Sequence, residues 1–241
     1  MVDIHSHIMP GIDDGAEDLE MTKEMIRMSY NEGCRHLFLT PHAASLNRRV
    51  NVQKKLNVIN EWICSEGIPI EIYVGSEIYI DVGEDEEDIK KIIKKLKKGK
   101  YLTLNNTQYV LIEFYFGGFE FDEIVPVVSE LFNAGYIPVI AHAEKYGVPY
   151  EYIYKFKTMG CKIQINLSDV FYEYKHEMVD MANKLLEAKI VDFVGTDAHR
   201  IDRRKPEIKV YTEFLYNNYS QEYVDDILYN NAAALLGLKL G

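Results

Sequence analysis

The N-terminal stretch MVDIHSH, residues 1–7, contains the pattern that decides the fold, a short apolar run that ends in side chains capable of chemistry. Residues 2–4 predict a buried strand, and His5 and His7 follow it directly. In an extended segment, residues two apart point to the same side of the strand. The pair therefore predicts two metal ligands from one strand, although an HxH pair by itself is equally compatible with surface or core histidines.

The same pattern recurs along the whole chain. Further apolar runs predict strands, and segments with the three-to-four-residue apolar spacing of amphipathic helices lie between them. The further predicted strands are 37–39, 70–74, 109–112, 137–140, 163–165 and 191–194. Helices with one buried face are predicted over 21–31, 53–66, 123–133 and 178–188. A strand followed by a helix, repeated in this way, indicates parallel pairing of the strands.

Polar residues follow every predicted strand, and they decide between an open doubly wound sheet and a closed barrel. In strand order they are His5 with His7, His42, Glu77, Glu113, His142, Asn166, and Asp197 with His199. The carboxyl ends of all strands in a parallel barrel converge on one face, where active sites are built. An open sheet would not gather all seven ends. We therefore predict an α/β protein with a TIM-like (β/α)7 barrel, formed by residues 1–241 as a single domain.

Composition narrows the function classes. The chain has 241 residues, 47% of them hydrophobic, and a formal net charge of −11, which disfavours a protein that grips nucleic acid through a general positive field. Neither a secretory leader nor a membrane-spanning apolar stretch is visible, so we expect a cytoplasmic protein with no membrane insertion. Cys34, Cys64 and Cys161 lie far apart without CxxC spacing, which predicts neither disulfides nor a thiolate zinc site.

Acidic residues near the strand ends extend the set of candidate ligands. Glu77 and Glu113 follow apolar strands, where a buried charge is costly unless a cation or a hydrogen-bond network compensates it. For each of these two glutamates, the alternative to metal binding is an ordinary ion pair. Asp13 and Asp14, in GIDDGAED, have a second interpretation as N-caps for a helix that begins near Ala16.

The complete set mixes imidazole and carboxylate ligands, which suits zinc, manganese or iron rather than calcium. Its nine members are His5, His7, Asp14, His42, Glu77, Glu113, His142, Asp197 and His199. Three divalent metal ions can share such a set. Metal coordination lowers the pKa of water from about 15.7 to near 7, which predicts direct hydrolysis of an anionic phosphate ester. We leave out His36, at the start of its strand, and His176, in a polar segment, as surface residues.

Basic residues beside this set are candidates for holding a phosphate. Lys145 lies in HAEKYG, and Arg200, Arg203 and Arg204 lie in DAHRIDRRKP. One or two of them can clamp phosphate oxygens or balance the leaving group, whereas solvated surface charge is the alternative for Arg200 and Arg203. The thiolate loop of cysteine-dependent phosphatases and the G-x-S-x-G elbow are both missing from the sequence.

The motifs together resemble a known family, and the resemblance covers nearly the whole chain. They are HSH at 5–7, DDG at 13–15, PH at 41–42, GSEIYI at 75–80, LIEF at 111–114, IAHAEKY at 140–146 and GTDAH at 195–199. The chain resembles the polymerase-and-histidinol-phosphatase (PHP) family. Within it, the chain is most similar to the manganese-dependent protein-tyrosine phosphatases encoded with bacterial capsular polysaccharide and exopolysaccharide genes.

The resemblance implies a distorted seven-stranded (β/α) barrel with three metal ions, manganese first and iron or zinc as alternatives. By motif, the first ion would be held by His5, His7, Glu77 and Asp197, the second by Glu77, Glu113 and His142, and the third by Asp14, His42 and His199. Glu77 would bridge two ions, and Asp14 rather than Asp13 would be a ligand.

The resemblance also implies a substrate and two catalytic cations. A family arginine corresponds to Arg204, whereas Lys145 stands where the subfamily has a second arginine and lacks the bidentate fork. The implied partner is a phosphotyrosine protein, an autophosphorylating tyrosine kinase of polysaccharide export. Three alternatives stay open: a small-molecule phosphatase such as a histidinol phosphatase, a non-catalytic metal-binding regulatory domain, and a nuclease-like accessory domain.

Overall fold

The computed structural model describes residues 1–46, 51–81, 86–171 and 176–238, and strands alternate with helices throughout that range. The strands are β1 Val2–Asp3, β2 His36–Leu39, β3 Glu71–Val74, β4 Glu77–Ile80, β5 Tyr109–Phe114, β6 Ile137–Ile140, β7 Lys162–Asn166 and β8 Phe193–Gly195. The α-helices are α1 Leu19–Asn31, α2 Val52–Glu66, α3 Glu86–Lys97, α4 Phe121–Asn133, α5 Tyr150–Met159, α6 His176–Glu187, α7 Lys209–Asn218, α8 Gln221–Asp225 and α9 Asn231–Leu236. A π-helical turn, Asp226–Asn230, joins the last two.

The strands pair in parallel and form two sheets, in the orders β1-β2-β3 and β4-β5-β6-β7-β8. Isolated parallel bridges link these sheets on both sides, because Ser6 pairs with Ala198 and His42 pairs with Glu77. At the first bridge, the His7 N–H donates to the Ala198 carbonyl over 2.8 Å. The predicted barrel is confirmed in its distorted form, since single bridges rather than full ladders complete the circuit of strands.

The strand count differs from the prediction, because the run over 70–74 continues into a second strand. Strand β3 pairs with β2, and β4 pairs with β5. At the turn between β3 and β4, the Ser76 N–H donates to the Leu102 carbonyl instead of to a neighbouring strand. The predicted strand ends at residue 74, before the polar residues of this turn, and the short strand that follows the turn was not predicted. As a result, Glu77 is the first residue of β4 rather than a residue that follows β3.

The four predicted helices are present as α1, α2, α4 and α6, and each begins one or two residues earlier than predicted. Caps explain the beginnings of two of them. Asp18 caps α1 by accepting the Met21 N–H over 2.9 Å, and Asn51 caps α2 in the same way. The capping role considered for Asp13 and Asp14 is therefore wrong. The helices α5, α7, α8 and α9 were not predicted.

Apolar side chains at alternate strand positions fill the end of the barrel that lies away from the strand carboxyl ends. They pack against α9, which belongs to the same buried cluster. The strand members of this cluster are Val2, Ile4, Phe38, Tyr109, Leu111, Val139 and Phe193, and Ala232, Ala233 and Leu236 come from α9. The polar residues of the same strands are left to converge at the opposite, carboxyl end.

A buried carboxylate fastens the first strand to the last. Asp3 accepts hydrogen bonds from the Thr196 N–H over 3.0 Å, from the Thr196 hydroxyl over 2.6 Å and from the His5 N–H over 3.2 Å. Burial raises the pKa of Asp3 to about 6, although these bonds oppose the shift. The side chain thereby fixes the backbone on which His5 lies.

His36 and His176 were predicted to be surface residues and not metal ligands. His36 does begin its strand, but it is buried rather than on the surface, because its ring contacts Tyr73 and Tyr229. His176 begins α6, and its side chain lies outside the described residues. The prediction that His36 is a surface residue is therefore wrong.

The sequence has a charge run at residues 83–100, GEDEEDIKKIIKKLKKGK, whose apolar spacing predicts a surface helix, and helix α3 forms over its central part. Its apolar stripe faces inward, since Ile89, Ile92, Ile93 and Leu96 are all buried. Residues 82–85, which include the start of the charge run, lie outside the described residues. Across the part of the chain that the structure describes, no helix combines the length and the apolar character needed to cross a membrane.

Thiol reactivity tests the packing of the core. Cys34 and Cys161 are buried, and burial raises the pKa of each thiol to about 12, whereas Cys64 is exposed on α2. Because the thiolate is the reactive form, we expect Ellman's reagent at pH 8 to modify one cysteine per native chain and three per chain in denaturant. Rapid modification of all three in the native protein would contradict this packing.

Candidate metal centre

The carboxyl ends of the strands meet around one cavity of about 460 Å³, which is where the sequence analysis places the nine candidate ligands. Seven of them line this cavity, namely Asp14, His42, Glu77, Glu113, His142, Asp197 and His199. His5 and His7 form its floor through contacts with Glu77. The structure therefore brings all nine side chains together.

Glu77 lies at the centre of the cluster and is almost completely buried. Its Oε1 is 3.2 Å from the Nε2 of His5 and 2.9 Å from the Nε2 of His142. Its Oε2 is 3.1 Å from the Nε2 of His7 and 3.2 Å from the Nδ1 of His42. One carboxylate thus contacts four imidazoles, each contributed by a different strand end except for the pair after β1.

The remaining carboxylates lie around this centre. Asp197 Oδ1 is 3.7 Å from His5 Nε2 and 3.5 Å from His7 Nε2. Glu113, within β5, approaches His42 Nδ1 to 3.5 Å and His142 Nε2 to 3.6 Å. Both carboxylates are buried, so their negative charges are compensated by groups of the cluster and its rim rather than by solvent.

Asp14 lies at the open side of the cluster. Its Oδ1 is 3.4 Å from His42 Nε2 and 3.5 Å from His199 Nε2, and its side chain is 58% exposed. Asp13 points the other way, to His7 Nδ1 at 2.8 Å, and its side chain is 2% exposed. The two neighbouring aspartates therefore have separate positions, Asp14 in the cavity and Asp13 behind it.

Donor atoms within 4.8 Å of one another form three groups in the described residues. The groups are His7, Asp14, His42 and His199; His5, His7 and Glu77; and His42, Glu77 and Glu113. Each implied ion has a corresponding group, but His7 and His42 each belong to two groups, whereas His142 and Asp197 fall outside all three. Glu77 is shared by two groups, as the resemblance implies for a bridging ligand.

Residues behind the cluster fix the orientation of its imidazoles. The Asp13 carboxylate only accepts hydrogen bonds, so His7 Nδ1 carries the proton between them and its Nε2 faces the cavity. Gln164 Oε1 accepts the His142 backbone N–H over 2.9 Å, so it also accepts from His5 Nδ1. The Nε2 atoms of His5 and His7 lie only 3.3 Å apart, so as neutral imidazoles they would face each other as two acceptors.

The backbone of the site is unusually constrained. His142 and Asp197 have φ angles of +31° and +51°, a conformation that non-glycine residues rarely adopt and that collects at functional sites. The DDG loop approaches so closely that a Cβ on Gly15 would lie 1.8 Å from the His7 carbonyl oxygen. These constraints hold the loop that carries both aspartates against the first strand.

The charges shift the pKa values of the cluster in opposite directions. Burial alone would raise the pKa of Glu77, but the surrounding imidazoles, His5 foremost, lower it well below its usual value. Burial would lower the pKa of His7, but hydrogen bonds to Asp13 and Glu77 raise it to about 10. Burial and the charge of Glu77 raise the pKa of Glu113 to about 7. The cavity therefore favours positive charge at its centre.

The donor set fits divalent metal ions. Lone pairs of His5 and His7 face each other and the Glu77 carboxylate, an arrangement that only a cation or added protons can stabilise. The Nδ1 atom of His142 is buried without a hydrogen-bond partner among the described residues, whereas its Nε2 lies 2.9 Å from the Glu77 carboxylate. Imidazole nitrogen with carboxylate oxygen is the ligand mixture of zinc, manganese and iron sites.

Two cations reach the rim of the cluster. The Lys145 Nζ lies 3.4 Å from Asp197 Oδ2 and 3.3 Å from Asp169 Oδ2, and Arg204 Nη1 lies 3.4 Å from the same Asp197 oxygen. Both line the cavity, whereas Arg200 pairs with Glu17 outside it. Arg203 lines an adjoining cavity of about 430 Å³.

Several polar residues of the site escaped the sequence analysis as functional residues. They are Asp3, Gln164, Glu144 and Asp169, and Asp13 was set aside in favour of its neighbour. One signal was available, because KIQIN alternates apolar residues with Gln164 and Asn166, which places both amides on the inner face of β7. Asn166 donates to Asp197 Oδ2 over 3.0 Å.

A parallel α/β barrel with such a donor cluster at its strand ends defines a class of metal-dependent hydrolases. Within it, the family model of capsular polysaccharide synthesis, CpsB/CapC, matches residues 1–237, and the chain belongs to this family.

Individual relatives agree with the family assignment. Tyrosine-protein phosphatase YwqE of Bacillus subtilis (strain 168) is 34% identical over 214 residues, which are 85% of this chain and 79% of YwqE. Tyrosine-protein phosphatase CpsB of Streptococcus agalactiae is 28% identical over 98% of both chains. A crystal structure from work on B. subtilis YwqE and Streptococcus pneumoniae CpsB, described as metal-dependent tyrosine phosphatases, superposes with a TM-score of 0.84 at 29% identity and covers 100% of this chain and 96% of its own.

Replacement of Asp13 tests the orientation of His7. Asp13→Asn removes the charge that holds the Nδ1–H, and we expect about 10- to 100-fold weaker binding of Mn²⁺ in calorimetric titrations. Asp18→Asn is a matched control, because it removes one charge from the same segment and keeps a good helix cap. Equal Mn²⁺ affinity in wild type and Asp13→Asn would show that Asp13 does not support the site.

Proposed function

We propose that this chain is a metal-dependent phosphotyrosine phosphatase that acts in the control of capsular polysaccharide or exopolysaccharide synthesis. The observation that carries the proposal is the cluster of five imidazoles and four carboxylates at the strand ends, with Lys145 and Arg204 on its rim. Tyrosine phosphatase names among the relatives support the same activity. Residues 1–241 form a single catalytic domain in this proposal.

The nine residues are proposed to hold three divalent ions, with manganese as the metal and iron or zinc as alternatives according to supply. When bound, such ions polarise phosphoryl oxygens and lower the pKa of a coordinated water. Glu77, which contacts four imidazoles, would be a ligand shared between two of the ions. Asp13 and Gln164 are positioning residues that fix the tautomers of His7 and His5.

Lys145 and Arg204 are proposed as the catalytic cations. Both lie 3.4 Å from the outer oxygen of Asp197, so their charges converge at one place on the cavity rim. There they would bind the oxygens of a phosphoryl group and balance the negative charge that builds up on the departing tyrosine oxygen. Water adds to phosphorus, the bond from phosphorus to the tyrosine oxygen breaks, and phosphate and tyrosine are released.

The proposed partner is a protein that carries phosphotyrosine, specifically an autophosphorylating tyrosine kinase of polysaccharide export. Membership in the capsular polysaccharide synthesis family supports this choice. A cytoplasmic location belongs to the same proposal, since a kinase phosphorylated from cellular ATP exposes its phosphotyrosine there.

Phosphate release distinguishes the proposed function from the alternatives. With Mn²⁺, we expect the purified protein to hydrolyse a phosphotyrosine peptide with a larger kcat/KM than histidinol phosphate or a phosphoserine peptide. Chelator should abolish the activity, added Mn²⁺ should restore it, and His5→Ala should be inactive because it removes a ligand next to Glu77. A preference for histidinol phosphate would favour a small-molecule phosphatase, and full activity after metal removal would refute the mechanism.

Removal of the lysine charge tests the role of Lys145. Lys145→Met keeps most of the stem and loses the ammonium, and we expect kcat on the phosphotyrosine peptide to fall about 100-fold. Lys145→Arg should retain most activity, because it supplies a charge with a bidentate fork. Arg200→Met is the matched control, since Arg200 pairs with Glu17 outside the cavity and its loss should change kcat less than about twofold.

Thermal unfolding of the same variants separates catalysis from stability. Lys145 is held between Asp169 and Asp197, so its removal takes a positive charge away from two buried acids and should also lower the melting temperature. A kcat of Lys145→Met equal to that of the wild type would refute the catalytic role even if stability falls.

A further inference from the structure

The cavity above the nine candidate ligands has one apolar side. Eleven described residues line it, and nine of these are polar or ionisable. The two apolar members are Phe116, which follows β5, and Met178, in α6. Neither contributes a metal ligand or a charge, so the proposed chemistry leaves both without a role.

Phe116 has a fixed position although half of its surface is exposed. Its ring stacks on Tyr146 with a centroid distance of 5.8 Å and an interplanar angle of 17°, and it lies 5.2 Å from the ring of His142. Tyr146 is fully buried, and its hydroxyl donates to the Ala141 carbonyl and accepts the Phe114 N–H. One side of the Phe116 ring is thus supported, and the side chain is 51% exposed.

The chemistry of an ester fixes where its leaving group must lie. A phosphoryl group held by the ligand cluster and by Lys145 carries its ester oxygen one bond away from phosphorus. The organic part of the substrate therefore occupies the same cavity and must contact whatever forms its wall. Charged groups dominate the other walls, and an aryl ring placed against a carboxylate would deprive its charge of polar partners without compensation.

We propose that Phe116 and Met178 form an aryl-binding wall that receives the phenyl ring of the substrate and selects aryl phosphates over alkyl phosphates. This inference rests on the proposed phosphotyrosine phosphatase function and names the residues that recognise its substrate. An offset or edge-to-face contact with Phe116 and a sulfur contact with Met178 both suit a phenyl ring. A short alkyl phosphate reaches the cluster without touching the wall.

Binding of two phosphonates to the Mn²⁺-loaded protein tests the wall without depending on turnover. Phenylphosphonate and methylphosphonate share the charged head group and differ in the ring. We expect wild type to bind phenylphosphonate more tightly, and Phe116→Ala to weaken that binding about three- to tenfold while methylphosphonate affinity stays within twofold. The phenylphosphonate affinity of Phe116→Leu should lie between those of wild type and Phe116→Ala, because leucine keeps apolar area but lacks the ring.

Tyr154→Ala is the matched control, because it removes an exposed aromatic ring on α5 that does not line the cavity. It should leave both affinities unchanged. Equal binding of the two phosphonates by wild type, or an equal loss of both in Phe116→Ala, would overturn the aryl-binding wall. Either result is compatible with a measured phosphatase activity. Conversely, failure to hydrolyse any phosphate ester would refute the proposed function but would not affect the measured preference between the phosphonates.

Discussion

The constraint on which the site depends is the charge of the buried Glu77 carboxylate. Four imidazole nitrogens surround it at 2.9 to 3.2 Å, and two further carboxylates, Asp197 and Glu113, lie against the same imidazoles. Without cations, protons must supply the compensating charge, which is why the pKa of His7 rises to about 10 while that of Glu77 falls. Divalent ions supply the same charge with less repulsion among the imidazoles. The arrangement of the strand ends therefore requires positive charge at their centre, which metal binding supplies.

The barrel places its apolar and its polar side chains at opposite ends. Apolar side chains and α9 fill the amino end, and the carboxyl end is left to polar groups. Behind the ligands, Asp3, Asp13 and Gln164 hold the backbone and the orientation of the imidazoles, so that the Nε2 atoms point inward before any ion arrives. Because the ligands are already ordered, ion binding requires little further loss of conformational entropy.

Much of this arrangement could be predicted from the sequence, because strand ends of a parallel barrel converge whatever the details of the strands. The period of two in HSH and the polar residue after each apolar run were sufficient for that. The direction of a side chain in a loop could not be predicted from the residues themselves, so only the family resemblance favoured Asp14 over Asp13, and the structure places Asp13 behind the cavity. Strand β4 has only four residues and follows β3 after Gly75 and Ser76, so it was too short a run to be predicted separately. The contacts of Phe116 depend on residues from other elements, which no local pattern encodes.

Anomalous diffraction from crystals of the Mn²⁺-loaded protein, with data collected on both sides of the manganese absorption edge, would locate the bound ions. We expect three anomalous peaks at the carboxyl ends of the strands, with Glu77 bound to two of them. Absence of anomalous density at Glu77, or peaks only at surface carboxylates, would contradict the claim that this buried cluster is a metal centre.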